Sequence, residues 1–220
     1  MIIPPIKIQG KKTKIVPKIM EIADGLLSEH PEIDTWVEPF LDSGVVAFNC
    51  PGRIKKVIVN DINPHIIKFY KGISDGIITS DKIREVFDIH NQNLLKDGYD
   101  YYNQIKDRFN QSFEEVIATA PENSIFYCDP PYYGLQVQYF KGWGKEDEIR
   151  LNEMLKDKMF IYSTWLEDGV RENMMINEYW GEYEIEGKKH KYNVAEKAEK
   201  RNQVTEGLIY PKIQNKYSLF

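Results

Sequence analysis

Residues 129–132 read Asp-Pro-Pro-Tyr and follow directly on the apolar run Ser124-Ile125-Phe126-Tyr127-Cys128. One meaning of that arrangement is structural: the prolines Pro130 and Pro131 stop a strand and Asp129 caps the turn. The other is chemical. An amino group on an aromatic ring is a poor nucleophile, because its lone pair is delocalised into the ring. The Asp129 carboxylate and the Pro130 backbone carbonyl can each accept one of its two N–H bonds. Holding both hydrogens out of the ring plane favours a tetrahedral nitrogen whose lone pair faces an electrophile. Pro130 lacks an N–H, and its fixed φ aims that carbonyl. Tyr132 supplies a flat face on which an extruded base can stack.

The elements that position these groups follow from the hydrophobic pattern. Ile15, Ile19, Ile22 and Leu26 recur at helical spacing and predict a helix over 13–27. Short apolar runs predict strands at 35–38, 56–60, 124–128, 158–163 and 204–210, with helical segments over 80–120 and 145–156. Alternation of this kind implies an α/β fold with a mainly parallel sheet and helices on both faces. Ligands of such sheets lie beyond the carboxyl ends of the strands. Glu38-Pro39-Phe40, Asn60-Asp61 and Asp129 all stand at such ends, so their carboxylates are expected around one crevice. Ser43 and Gly44 fit a tight turn where backbone approaches a ligand, or a helix cap. Asp61 lies about twenty residues on, where dinucleotide-binding folds place an acid for ribose hydroxyls. The absence of Gly-x-Gly-x-x-Gly argues against a dehydrogenase.

The same residues resemble the Dam-like DNA adenine methyltransferases, whose hallmark is the DPPY tetrapeptide. Residues 36–49, WVEPFLDSGVVAFN, resemble that family's cofactor loop, and residues 59–63, VNDIN, its ribose-binding segment. Residues 7–12, KIQGKK, are similar to its N-terminal KWxGGK element, and residues 201–209, RNQVTEGLI, to the R..V.E.LI stretch near its end. The resemblance implies a class I methyltransferase, Rossmann-like, that transfers a methyl group from S-adenosylmethionine to N6 of adenine in double-stranded DNA. Carried onto this chain, it places Asp129, Pro130, Pro131 and Tyr132 at the target. It places Ile8, Gly10, Lys12, Glu38, Pro39, Phe40, Ser43, Gly44, Asp61, Ile62 and Asp129 around the cofactor. It also implies one catalytic domain over 1–220, with a small helical target-recognition insertion within 73–119. Three positions depart from the pattern: Asp42 replaces the loop's first glycine, Ile8 a tryptophan and Lys11 a glycine. Cytosine N4, RNA adenine or a glutamine amide would present the same planar NH2 group, and a catalytically silent cofactor- or DNA-binding homologue would retain much of the pattern.

Net charge is −5, without the global basicity of many nucleic-acid binders. Every charged residue from 1 to 20 is nevertheless a lysine, and a second basic stretch runs from Lys188 to Arg201. Either could contact phosphates or form solvated faces. Cys50 and Cys128 form no disulfide framework, and His30, His65, His90 and His190 have no metal-ligand spacing. With no signal peptide and no membrane-spanning run, a cytoplasmic protein is expected. Tyr139, Phe140 and Trp143, with Gly142 and Gly144, suit either contact with DNA or simple packing.

Overall fold

A computed structural model describes residues 1–4, 6, 12–79, 81, 84, 112–134, 143–191 and 203–213. Four strands lie parallel: β1 (Thr35–Glu38), β2 (Lys56–Val59), β3 (Ser124–Cys128) and β4 (Met159–Glu167). Two more, β5 (Glu184–Lys191) and β6 (Gln203–Tyr210), complete a sheet of order β2-β1-β3-β4-β6-β5. β6 runs antiparallel to both of its neighbours. The mainly parallel α/β architecture implied by the pattern is therefore present, with a reversed strand beside β4.

Burial on two faces explains why the central strands read as unbroken apolar runs. Successive side chains alternate: Trp36, Ile125, Tyr127 and Ile161 join one core, Val37, Phe126, Cys128 and Phe160 the other. On the first face lies α1 (Val16–Glu29), which buries Ile19, Ile22, Ala23, Leu26 and Leu27. Each such side chain stabilises the fold by roughly 1.5–3 kcal/mol. Pro17 sits in the first turn of α1, where its missing N–H costs nothing, and the residues before it form a 3-10 turn, Lys12–Lys14. The helix thus starts later than its periodicity suggests. On the second face lie α3 (Phe113–Thr119), α4 (Lys145–Leu155) and a π-helical turn, Ile176–Trp180.

Two elements are absent from the sequence reading. α2 (Pro64–Ser74) is begun by Asn63, whose Oδ1 accepts the His65 amide at 3.0 Å, with Pro64 at the first helical position. β5 is polar except at Ile185 and Gly187, Glu-Ile-Glu-Gly-Lys-Lys-His-Lys, as suits an edge strand. Most of 73–119, where the recognition insertion is expected, lies outside the described residues; α3, at its end, contributes Val116 and Ile117 to the core. No helix among the described residues is long and apolar enough to cross a membrane.

Candidate active site

Three loops meet at the carboxyl edge of the parallel strands. Glu38 ends β1 opposite Val59, so Asn60 and Asp61 emerge from β2 beside it. The two exits are tied together: the Leu41 amide donates to Asn60 O at 2.8 Å, and Asn60 Nδ2 to Pro39 O at 3.3 Å. Asp61 completes the link. Its Oδ2 accepts the Asp42 amide at 2.7 Å and its Oδ1 the Asn63 amide at 2.8 Å. Each oxygen has a second lone pair, so capacity for further donors remains.

Asp42 adopts φ +49°, the left-handed region that favours glycine. The departure at this position is thus a side chain carried on a glycine-like turn, which aspartate tolerates better than most residues. Gly44, at φ +71°, has a second constraint: a Cβ there would lie 3.0 Å from the Phe48 ring. The close approach it permits is therefore to Phe48. Ser43 is buried, and its carbonyl accepts the Tyr70 hydroxyl at 2.6 Å. Ile62 is 48% exposed.

Past β3, the Asp129 side chain is only 10% exposed, and Lys12 Nζ lies 3.0 Å from its Oδ1. The same ammonium donates to the Tyr132 hydroxyl at 2.9 Å and stands 3.3 Å from Glu206 Oε1 on β6. Tyr132 in turn donates its O–H to Glu206 at 2.8 Å. Next along the turn, the Tyr133 carbonyl accepts Trp165 Nε1 at 2.8 Å. Trp165 and Glu206 are register partners across β4 and β6, so adjacent strands hold the two tyrosines that follow the prolines. Pro130 is buried beneath them and Pro131 is half-buried. Ser163 of β4 lies beside Asp129, Tyr127 and Tyr132, yet its hydroxyl and that of Tyr127 are buried without a hydrogen bond of standard geometry.

These carboxylates act on one another. Burial, reinforced by Glu206 and opposed by Lys12, raises the Asp129 carboxyl to about 6. Burial and the charges of Asp129 and Asp61 push Asp42 to about 7. Glu38, 1% exposed, is raised well above the usual range by burial and then by Asp129 and Asp42, although Trp36 Nε1 donates to it at 3.2 Å. The crevice is thus short of positive charge and suited to a cationic ligand.

Phe40 packs on Phe113 and Trp143, ring centres 5.4 and 5.7 Å apart, and not on Tyr132. Trp143 is fixed by packing and by donating to Glu148 at 2.7 Å. Glu148, fully buried in the first turn of α4, also accepts Tyr162 at 2.6 Å and Trp180 at 3.0 Å.

The structure therefore gathers Lys12, Glu38, Asp42, Asp61, Asp129 and Tyr132 at one sheet edge. Lys12, expected at the cofactor, stands against Asp129, which is expected both there and at the target. Ile8, Gly10, Tyr139, Phe140 and Gly142 lie outside the described residues. Among the described residues the N-terminal lysines do not make one basic face: Lys12 is buried among acids, Lys18 pairs with Glu21 and Glu186, and Lys14 is exposed. Glu206, Ser163 and Phe113 carried no site assignment from the sequence. Glu206 alone had a signal, its place in the closing RNQVTEGLI stretch.

Comparison with known proteins follows this geometry. No curated protein matches the sequence. Among solved structures, one titled "Putative methyltransferase yhhF from Escherichia coli" aligns over 96% of this chain and 92% of its own, at 14% identity and a TM-score of 0.44. The family described as D12 class N6 adenine-specific DNA methyltransferase matches residues 9–114 and 79–194, two overlapping stretches that span most of the chain. The chain belongs to that family, enzymes that place a methyl group on the exocyclic amino nitrogen of adenine in DNA.

Proposed function

We propose that the methyl donor is S-adenosylmethionine and that the acceptor is an adenine extruded from double-stranded DNA, oriented by Asp129 and the Pro130 carbonyl. The convergence of Glu38, Asp42, Asp61 and Asp129 at one sheet edge supports this reading most strongly. Mutually repelling buried acids suit a ligand that carries positive charge, and the donor set fits a sulfonium. When bound, the donor supplies an electrophilic methyl group. Glu38 and Asp42 would face its cationic end, Asp61 would accept from its ribose, and Ser43 and Gly44 would shape the turn that holds it. Phe40, Phe113 and Trp143 form an apolar wall for a flat heterocycle.

Extrusion of the base costs a few kcal/mol, offset by stacking on Tyr132 and by phosphate contacts. Asp129 and the Pro130 carbonyl hold the two amino hydrogens and so direct the nitrogen lone pair; a bound donor would supply the methyl group in line, its C–S bond breaking to release a neutral thioether as the C–N bond forms. The protein contributes orientation and electrostatics. The product nitrogen then loses its extra proton to water, or transiently to Asp129, whose carboxyl near 6 can hold it. Residues 1–220 act as one catalytic domain, with target recognition supplied from within 73–119. Mass spectrometry of nucleosides from DNA incubated with protein and S-adenosylmethionine tests the reading: N6-methyladenine is expected, absent with Asp129→Ala. Appearance of 4-methylcytosine in its place would overturn it.

A further inference from the structure

The Lys12 ammonium bonds Oδ1 of the carboxylate that Asp129 would offer to a substrate. An aspartate that accepts an amino N–H while bonded to an ammonium at 3.0 Å holds that N–H less well, since the ammonium takes up a lone pair and withdraws charge. Moving Lys12 away from both acids would strand a buried cation and leave the acids without it, which is unfavourable. The geometry offers a third course. Glu206 Oε1 lies 3.3 Å from the same Nζ, and the Tyr132 hydroxyl bridges the two, receiving from Lys12 at 2.9 Å and donating to Glu206 at 2.8 Å. A shift of a few tenths of an ångström toward β6 turns a shared ammonium into one paired with Glu206.

We infer that Glu206 is a positioning residue, a second seat for Lys12 that takes the ammonium over when the target amino group docks on Asp129. The inference rests on Asp129 being the amine acceptor, and it assigns Glu206 a role in turnover that goes beyond holding β6 in place. The exchange balances: no proton moves and the net charge of Lys12, Asp129 and Glu206 is unchanged. Only the partner of one N–H changes. Tyr132 keeps its hydroxyl on Glu206 throughout, so its ring stays where the base stacks. Lys12 comes from the 3-10 turn before α1, Glu206 from β6 and Asp129 from the end of β3, so the arrangement depends on three elements far apart in sequence.

The other groups that bear on Asp129 are Glu38 and Asp42 from β1 and its loop, Tyr127 and Tyr132 from β3 and its turn, and Ser163 from β4. Of these, Tyr132 alone bonds Glu206 and meets the substituted side chain. Glu206→Gln retains an oxygen for the Tyr132 hydroxyl and removes only the charge. Lys12 is then left with Asp129 as its anionic partner. Two consequences share one sign: Asp129 loses a like-charged neighbour and gains a fuller claim on the ammonium.

The test uses the full chain in two measurements. Titration of the Asp129 carboxyl by NMR with isotope-labelled aspartate, without DNA, should move to lower pH in Glu206→Gln. In methyl-transfer kinetics the same variant should lose about tenfold or more in kcat, with KM for DNA changed less than about twofold. Glu206→Asp, which keeps the charge, should recover part of the rate and serves if the Gln variant fails to fold. A folded Gln variant that titrates Asp129 at the wild-type pH, or that turns over at the wild-type rate, overturns the inference. If wild-type protein transferred no methyl group to DNA, the role of Asp129 as acceptor would fall, while the carboxyl titration would still decide how Lys12 is shared.

Discussion

Asp129 and Glu148 are both carboxylates withdrawn from water, and the protein treats them in opposite ways. Glu148 sits at the start of α4, where the helix dipole favours a negative charge, and three aromatic side chains donate to it. Asp129 has one strong partner, Lys12, which it shares with Glu206, and further acids in Glu38 and Asp42 bear on it. One carboxylate is satisfied and knits the second core together. The other is held in a crowded acidic crevice with partners that can be exchanged. Burial of an acid does not by itself mark chemistry; burial with incomplete compensation does.

Substitutions can break that contrast. The largest effect is expected for Asp129→Asn, with methyl transfer reduced by about 10³-fold or more, since an interaction made at the reacting nitrogen is lost. Its stability should change by no more than about 1 kcal/mol, because Lys12 keeps Glu206; radiolabelled transfer and urea unfolding report the two quantities. Glu148→Ala should do the reverse. Leaving the Tyr162 and Trp180 donors unpaired in the core is expected to lower stability by about 2–4 kcal/mol, with a far smaller loss of kcat in the protein that remains folded.

Acidity sharpens the comparison further. Asp129 must be ionised to accept both substrate hydrogens, so kcat should rise as pH passes through about 6. Donor affinity, measured by calorimetry, should rise through about 7 as Asp42 gains its charge, and Asp42→Asn should abolish that second rise. Folding responds with the opposite sign. Both carboxyls are raised in the folded state, so their contribution to stability is fully present below the ordinary carboxylate range and is lost as pH climbs through about 6 and 7. The smallest effect belongs to the turn itself: Asp42→Gly should gain about 0.5–1 kcal/mol by relieving φ +49°, while Asp42→Ala should lose about 1 kcal/mol, both read by thermal unfolding.

Much of this crevice was legible because its carboxylates stand at the ends of short apolar strands. Glu38, Asp61 and Asp129 each follow such a run, and parallel pairing brings strand ends together whatever the helices do. Lys12 was placed at the site by the KIQGKK resemblance alone; by composition it is one of a basic run, and nothing local reveals that it points into acids 117 and more residues away. Glu206 looks like an ordinary polar position in an alternating strand. Its meaning depends on the antiparallel register that sets it beside Trp165. α2 was missed although Asn63-Pro64 announces a helix start, because the strand before it and the turn residues drew the same letters into a loop. β5 was missed because an exposed edge needs no apolar pattern.

During synthesis the ribosome delivers Lys12 first and Glu206 last among the four clustered groups. Asp129 and Tyr132 are made well before the strand that anchors them exists. A nascent chain therefore holds its donor-side loops long before its centre can close, and a cut between β5 and β6 would separate Glu206 and the RNQVTEGLI stretch from the Asp-Pro-Pro-Tyr turn. β6, the strand that carries Glu206, takes its place between β4 and β5 only after every other strand of the sheet has been made.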